Sequence, residues 1–131
     1  MKTLLFVDDE PRVLQGLQRQ LRPMRNEWDM HFVVDGKQAL NFMATRPVDI
    51  IVSDMMMPGM DGPALVLALR QREPQLPILG MTGVGEQADI KGLKGLGLPE
   101  LLTKPFTSTL LLDTLYQTLA ATRQPGSKAG K

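Results

Sequence analysis

The sequence predicts an α/β fold in which a doubly wound parallel β-sheet is covered by helices on both sides. Short apolar segments alternate with amphipathic segments along the 131 residues, which is typical of repeated β-α units. The apolar segments do not alternate polar with apolar residues, as expected of strands with both faces buried. With 43% hydrophobic residues, one chain of this length can fill a single compact core.

Five segments have the composition of β-strands. They are short and rich in branched apolar residues, and the four most apolar ones lie at residues 3–7, 50–52, 77–81 and 101–103. A fifth segment at residues 30–34 mixes polar and apolar side chains, which predicts a strand nearer the edge of the sheet. Strands separated by helical segments favour a parallel sheet over hairpins.

Helical periodicity lies between the strands. Apolar residues at helical spacing predict three helices: the first at Val13, Leu14, Leu17 and Leu21, the second at Ala39, Leu40 and Met43, and the last at Leu111, Leu112, Leu115 and Leu119. Residues 64–69 predict the third helix. Pro11 suits the first turn of a helix, and Thr107 or Ser108 can cap the last helix. Residues 86–97 occupy the place of a fourth helix. Their three glycines predict a short or mobile one, because each glycine costs up to about 1 kcal/mol inside a helix.

Composition excludes several classes of function. The net charge is only +1, so long-range attraction to nucleic acid or to an anionic membrane is not indicated. The chain has no cysteine, which excludes disulfides, a thiolate metal site and a cysteine nucleophile. No apolar run approaches the roughly 20 residues that span a bilayer, and we expect a cytoplasmic protein. We expect residues 1–122 to form the domain and the polar residues 123–131 to form a flexible tail or linker stub.

Polar side chains follow four of the predicted strands. Asp8 and Asp9 follow the first strand, Asp54 the third, Thr82 the fourth and Lys104 the fifth. Because ligands bind at the carboxyl ends of the strands in open parallel sheets, we expect these side chains to converge. Clustered carboxylates repel one another unless a cation neutralises them, and oxygen ligands suit Mg²⁺. An ionised aspartate can attack phosphorus, with a metal ion and a lysine neutralising charge.

Five motifs resemble those of response-regulator receiver domains of two-component signalling. They are FVDDEP at 6–11, DIIVSD at 49–54, MPGMDG at 57–62, MTG at 81–83 and TKPF at 103–106. The resemblance covers about residues 2–122 and implies the flavodoxin-like (βα)5 fold with strand order 2-1-3-4-5. It also implies phosphorylation by a partner's phosphohistidine, donated by a sensor histidine kinase or a phosphotransfer protein.

The resemblance also implies the metal site and the phosphoacceptor. Asp54 corresponds to the phosphoacceptor and also to a ligand of Mg²⁺ or Mn²⁺. Asp9 corresponds to a direct metal ligand, and Asp8 to one that contacts the metal largely through water. The backbone carbonyl of Met56 would be a further ligand.

The phosphoryl group itself would meet two side chains. Thr82 corresponds to the switch hydroxyl and Lys104 to the lysine that pairs with the phosphoryl group, and the peptide bond between Lys104 and Pro105 resembles one that is cis in this family. Signalling would then shift the surface formed by the fourth helix, the fifth strand and the fifth helix.

Three residues depart from the family pattern. Leu101 stands where an aromatic switch residue is usual, and Gly83 stands where alanine often follows the switch threonine. Met56 places a thioether two residues after the phosphoacceptor, where an aspartate-nucleophile phosphatase would carry its acid-base aspartate. We therefore expect self-phosphorylation and slow autodephosphorylation at Asp54, but no enzymatic turnover. The departures leave open how the signal is transmitted.

Other possibilities remain beside the phosphorylation switch. The chain can be an interaction or dimerisation module that works without phosphate. The output would then be a C-terminal domain or a homodimer. The start of the chain resembles receivers that precede HD-type phosphodiesterase domains. His31 is the sole histidine, and we expect it to have a structural role and not to donate a phosphoryl group.

Overall fold

Five strands form one parallel sheet in the computed structural model, which describes residues 1–55, 62–83 and 100–129. The strands are Lys2–Val7 (β1), Trp28–Val33 (β2), Ile50–Asp54 (β3), Ile78–Thr82 (β4) and Glu100–Thr103 (β5). Their order is β2-β1-β3-β4-β5, and each neighbouring pair is parallel. The predicted sheet, its order and the edge position of the second strand are confirmed.

Four helices lie among the described residues. They are Pro11–Leu21 (α1), Gly36–Thr45 (α2), Gly62–Arg72 (α3) and Ser108–Ala129 (α4), and a short 3₁₀ turn, Arg22–Met24, follows α1. The fourth helix that the sequence predicts at residues 86–97 lies outside the described residues. In the part of the chain that is described, no helix has the length and apolar character that a membrane span requires.

The two faces of the sheet bury separate apolar clusters. Alternate residues of β1 point to opposite faces, as the strand geometry requires. Leu4 and Phe6 pack with the buried leucines of α1 and α4. Leu5 and Val7 pack with Ala39 of α2 and with the buried residues of α3. Helices therefore cover both faces of the sheet, and a site can form at the ends of the strands.

Side-chain caps fix where three helices begin. Glu10 accepts a hydrogen bond from the backbone N–H of Arg12 at 3.2 Å and caps α1. Asp35 accepts from the N–H of Gln38 at 2.8 Å and caps α2. Thr107 accepts from the N–H of Leu110 at 3.1 Å, which selects Thr107 from the two predicted caps of α4. Such caps typically contribute about 1 kcal/mol each.

The end of α4 differs from the expectation for the tail. The helix continues to Ala129, so residues 123–129 are helical, whereas their polar composition predicts an irregular tail. Pro125 lacks the backbone N–H that a helix interior uses and Gly126 is a poor helix former, so the local sequence does not account for this extension. The domain boundary at residue 122 stays a prediction.

Candidate functional site

The carboxyl end of the sheet brings three aspartates together. β1 and β3 are neighbours, with Val7 opposite Ser53, so the residues that follow Val7 lie beside Asp54. Carboxylate oxygens of Asp8, Asp9 and Asp54 all lie within 4.8 Å of one another. Asp8 and Asp54 are 0% and 5% exposed, while Asp9 is exposed. Two carboxylates are thus nearly buried, and the third faces solvent.

Lys104 completes this group from the end of β5. Its backbone N–H donates to the carbonyl of Thr82 at 2.7 Å, which continues the pairing of β4 with β5 past Thr103. Its Nζ lies 2.9 Å from Oδ2 of Asp8 and 3.4 Å from Oδ2 of Asp54. The peptide bond between Lys104 and Pro105 is cis, as expected. We call Asp8, Asp9, Asp54 and Lys104 the carboxyl-end cluster.

Opposing effects act on the ammonium group of Lys104. Burial lowers the pKa of Lys104, but its hydrogen bond to Asp8 and its attraction to the charges of Asp54 and Asp8 outweigh burial and raise that pKa above its ordinary value. Lys104 therefore stays positively charged at neutral pH. It is a fixed positive charge between two nearly buried carboxylates.

Asp8 is held by contacts that the sequence analysis did not anticipate. Its backbone N–H donates to the carbonyl of Val33 at 3.2 Å, and its Oδ1 accepts from the backbone N–H of Glu10 at 2.9 Å. The second contact joins residues two apart, which is the spacing of an Asx turn. With Oδ2 bound to Lys104, both oxygens of Asp8 have protein partners. The Asp-Asp-Glu sequence carries the local signal for this turn, but the lysine contact is purely tertiary.

Thr82 brings a hydroxyl group to the end of β4. It is 1% exposed, and its Oγ1 has no hydrogen-bond partner among the described residues. A buried hydroxyl without a partner costs about 1–3 kcal/mol, and such groups in native proteins call for an explanation such as a bound ligand. Met81 lies opposite Asp54 in the pairing of β3 with β4. Thr82 is the next residue of β4, so it lies near the predicted phosphoacceptor. Its free hydroxyl fits an oxygen-rich ligand there.

The carboxyl-end cluster fits a divalent cation. Among the described residues, three carboxylates meet one ammonium group, so this set of side chains is net negative, and a low-dielectric site disfavours such an excess of negative charge. All the candidate ligands are oxygens, and the exposure of Asp9 leaves room for water, which Mg²⁺ retains when it binds proteins. The described residues therefore supply a ligand set of the kind that Mg²⁺ or Mn²⁺ takes.

The remaining predicted residues lie at the margin of the site or outside the described part. Gly83 follows Thr82 directly and is half-buried, and Pro105 is exposed. Met56 and the side chain of Leu101 lie outside the described residues. The structure thus brings together the five polar residues that the strand ends predicted. The carbonyl ligand and the switch position at residue 101 stay predictions.

A second charged cluster lies on the edge strand β2. Arg46 donates to Asp29 at 2.6 Å, and Nε2 of His31 lies 3.0 Å from Asp29 and 3.1 Å from Arg46. Both Arg46 and His31 also contact the ring of Phe42. We call Asp29, His31 and Arg46 the edge cluster. These contacts join β2 to the end of α2, which agrees with the structural role expected of His31.

Known proteins place the chain in one family. Residues 4–116 match the family described as response regulator receiver domain. The chain is 38% identical over 107 residues to the alkaline phosphatase synthesis transcriptional regulatory protein PhoP of Bacillus subtilis, covering 81% of this chain and 43% of that protein. It is 34% identical over 119 residues to the sensor kinase CckA of Brucella abortus, covering 89% of this chain and 12% of that protein. The chain thus spans less than half the length of either relative.

Solved structures agree with this match. The signal receiver domain of an HD domain-containing protein from Pseudomonas fluorescens Pf-5 superposes with a TM-score of 0.87 at 31% identity, covering 96% of this chain and 92% of that one. The chemotaxis protein CheY4 of Vibrio cholerae gives a TM-score of 0.80 at 30% identity, covering 90% and 98%. Sequence, fold and site agree, and the chain therefore belongs to the response regulator receiver domain family of two-component signalling systems.

Proposed function

We propose that the chain accepts a phosphoryl group on Asp54 from the phosphohistidine of a partner sensor kinase or phosphotransfer protein. The observation that carries the proposal is the position of the Asp54 carboxylate, which is 5% exposed and lies 3.4 Å from the ammonium of Lys104. Carboxylate oxygens of Asp8 and Asp9 lie within 4.8 Å of a carboxylate oxygen of Asp54. Membership of the receiver family supports the same reaction.

The transfer exchanges one bond to phosphorus for another. An oxygen of Asp54 forms a bond to phosphorus while the P–N bond of the partner's phosphohistidine breaks. The electron pair of that bond stays on the ring nitrogen, and the imidazole leaves as a neutral group when its other nitrogen carries a proton. The product on this chain is an aspartyl phosphate. Such transfers depend mainly on alignment and on the stabilisation of charge.

The residues around Asp54 serve these two needs. Lys104 brings its positive charge to the phosphoryl oxygens, and its contact with Asp8 holds the ammonium in place. The hydroxyl of Thr82, which has no partner among the described residues, donates a hydrogen bond to a phosphoryl oxygen when it moves toward the new group. Both groups would stabilise the negative charge that the phosphoryl group brings.

A divalent cation belongs to the same proposal. Asp8, Asp9 and Asp54 would hold Mg²⁺ or Mn²⁺ together with the carbonyl of Met56, and the metal supplies neutralisation of the phosphoryl charge. Asp9 is the ligand that solvent reaches most easily. It is therefore the residue through which metal binding can be tested without disturbing the buried core.

The proposed consequence of phosphorylation is a change in the surface next to Lys104 and Thr82. Gly83 and Pro105 adjoin these residues in the sequence, and Leu101 precedes Lys104 by three residues along β5. We propose that the surface formed by the predicted fourth helix, β5 and α4 shifts, and that it acts on an output domain or a second copy of the chain. A cytoplasmic location is part of this proposal.

Acetyl phosphate with Mg²⁺ tests the proposal. Intact-mass spectrometry should show one added phosphoryl group on the wild-type chain and none on Asp54→Asn. Asp113→Asn is the matched control, since Asp113 is exposed on α4 and its loss should leave the reaction unchanged. No adduct on the wild-type chain, or an equal adduct on Asp54→Asn, would contradict the proposal. The former result would favour an interaction module that works without phosphate.

A further inference from the structure

The solvent face of α1 carries only positive charge. Arg12, Arg19 and Arg22 are all exposed, and their spacings of seven and three residues bring them to one face of a helix. Arg22 closes α1 with helical backbone angles, so this spacing holds to the end of α1. The face lies opposite the buried leucines of α1. We call Arg12, Arg19 and Arg22 the arginine stripe.

The charge of the stripe is not balanced locally. Residues 11–26 contain four arginines and no acidic residue, although the whole chain has a net charge of only +1. The remainder of the chain is therefore net negative. Among the described residues, no carboxylate lies within ion-pair distance of an arginine of the stripe. A surface helix usually mixes the two signs of charge, so this segregation leaves three charges available to a partner.

The stripe begins beside the proposed phosphoryl site. α1 starts at Pro11, directly after Asp8, Asp9 and the capping residue Glu10. The stripe extends from there for about 15 Å, at 1.5 Å per helical residue. A protein that brings a phosphohistidine to Asp54 has to approach this end of the sheet. Because α1 begins at this end of the sheet, its exposed face is within reach of the surface around that histidine.

We propose that the arginine stripe selects phosphodonor proteins that carry acidic side chains beside their phosphohistidine. The inference rests on the proposed function and adds the chemistry of the partner. Charge complementarity raises association rates and rejects partners with the wrong sign of charge. A protein can combine acidic residues opposite the stripe with a neutral or basic surface opposite the carboxyl-end cluster. A duplex or an anionic membrane presents uniform negative charge, which the adjacent Asp9 and Glu10 would repel.

Phosphotransfer kinetics with matched variants test this proposal. Purified, autophosphorylated histidine kinases are first profiled against the wild-type chain, and the fastest donor is used in all later measurements. Arg19→Glu reverses one charge of the stripe, and Lys37→Glu reverses one charge on the exposed face of α2. We expect Arg19→Glu to lower the second-order rate constant of transfer at low ionic strength by about 10-fold. Lys37→Glu should stay within about twofold of wild type, since it lies away from the stripe.

Two further measurements complete the test. Added salt should slow transfer to the wild-type chain more than to Arg19→Glu, because screening removes the same attraction. Acetyl phosphate carries no protein surface, so its reaction with Asp54 should be equal for wild type and Arg19→Glu. Equal effects of Arg19→Glu and Lys37→Glu would overturn the inference. So would an equal loss in the acetyl phosphate reaction, which would assign the effect to the site and not to docking.

Other occupants of the stripe have distinct signatures. Binding of duplex DNA or anionic lipid vesicles that Arg19→Glu abolishes, with kinase transfer unchanged, would overturn the inference in favour of a polyanion. If neither acetyl phosphate nor any kinase phosphorylates the wild-type chain, the proposed function fails and the inference fails with it. If the chain is phosphorylated and the transfer rate does not depend on the charge of the stripe, the inference is overturned and the proposed function stands.

Discussion

The carboxyl-end cluster and the edge cluster both combine acidic and basic side chains, but they differ in burial and in charge balance. In the carboxyl-end cluster Asp8 is 0% exposed and meets Lys104 together with two further carboxylates. In the edge cluster the side chains of Asp29 and Arg46 are 34% and 45% exposed, and one carboxylate meets one guanidinium. Among the described residues, the first cluster has an excess of negative charge and is nearly buried, while in the second the carboxylate and the guanidinium balance each other and are partly solvated.

This difference separates a site from a structural contact. Burying several carboxylates beside one ammonium group is costly, and a bound cation would lower that cost. An exposed ion pair costs little and contributes little, because water solvates both of its partners. Perturbed charges alone therefore do not identify a functional site in this chain. The excess of negative charge among the described residues, together with burial and a Thr82 hydroxyl that has no described hydrogen-bond partner, supports the proposed site.

The largest expected difference between the clusters is in reactivity. Lys104→Ala should slow the reaction with acetyl phosphate by about 100-fold, because one fixed positive charge on the phosphoryl group is lost. Arg46→Ala, the matched loss of a cation from the edge cluster, should leave the rate within about twofold. Intact-mass spectrometry against time measures both rates. Equal rates for Lys104→Ala and wild type would contradict the role of Lys104.

Mg²⁺ should raise the stability of the folded chain through the carboxyl-end cluster and not through the edge cluster. Mg²⁺ at about 100 times its dissociation constant should stabilise the wild-type chain by about 2.7 kcal/mol if it binds only the folded state. Asp9→Asn should lose most of this gain, since it removes a carboxylate ligand, while Asp29→Asn should keep it. Thermal unfolding with Mg²⁺ and with EDTA measures the effect. If Asp9→Asn gains as much as wild type, Mg²⁺ does not bind through the carboxyl-end cluster.

The smallest effect concerns the edge cluster and pH. The hydrogen bond from His31 lowers the pKa of Asp29 below its ordinary value of 3.8, burial opposes this, and Arg46 lowers the pKa further. A lowered pKa stabilises the folded state above pH 3.8, and this contribution is lost as the pH falls through the folded-state value. Asp29→Asn should therefore be slightly less stable than wild type at neutral pH, and the difference should shrink in acid. Urea unfolding across this pH range measures it, and a difference that grows in acid would contradict the assignment.

Much of the site was predictable because one rule governs its position. In a parallel sheet the carboxyl ends of all strands meet at one edge, so the residues after each strand converge however far apart they are in the sequence. Asp8, Asp54 and Lys104 meet for this reason although up to 96 positions separate them. The rule predicts which edge of the sheet the side chains share, but it does not predict which of them contact one another. That Lys104 contacts Asp8 at a shorter distance than Asp54 follows only from the structure.

Two features of the structure were not predicted from the sequence: a tertiary contact of the edge strand and the end of the last helix. Arg46 reaches Asp29 across 17 positions because the end of α2 packs against the edge strand, and no local pattern signals that contact. Residues 123–129 belong to α4, whereas their polar composition, with Pro125 and Gly126, predicts a tail. Neither difference alters the site, because both lie outside the carboxyl-end cluster.

The central claim is that Asp54, and not another carboxylate of the carboxyl-end cluster, takes the phosphoryl group. Borohydride reduction of the phosphorylated chain converts an aspartyl phosphate to homoserine, and peptide mass spectrometry then locates the converted residue. We predict conversion at Asp54 alone, dependent on Mg²⁺ and absent from Asp54→Asn. Conversion at Asp8 or Asp9, or phosphorylation without any conversion at Asp54, would contradict the account.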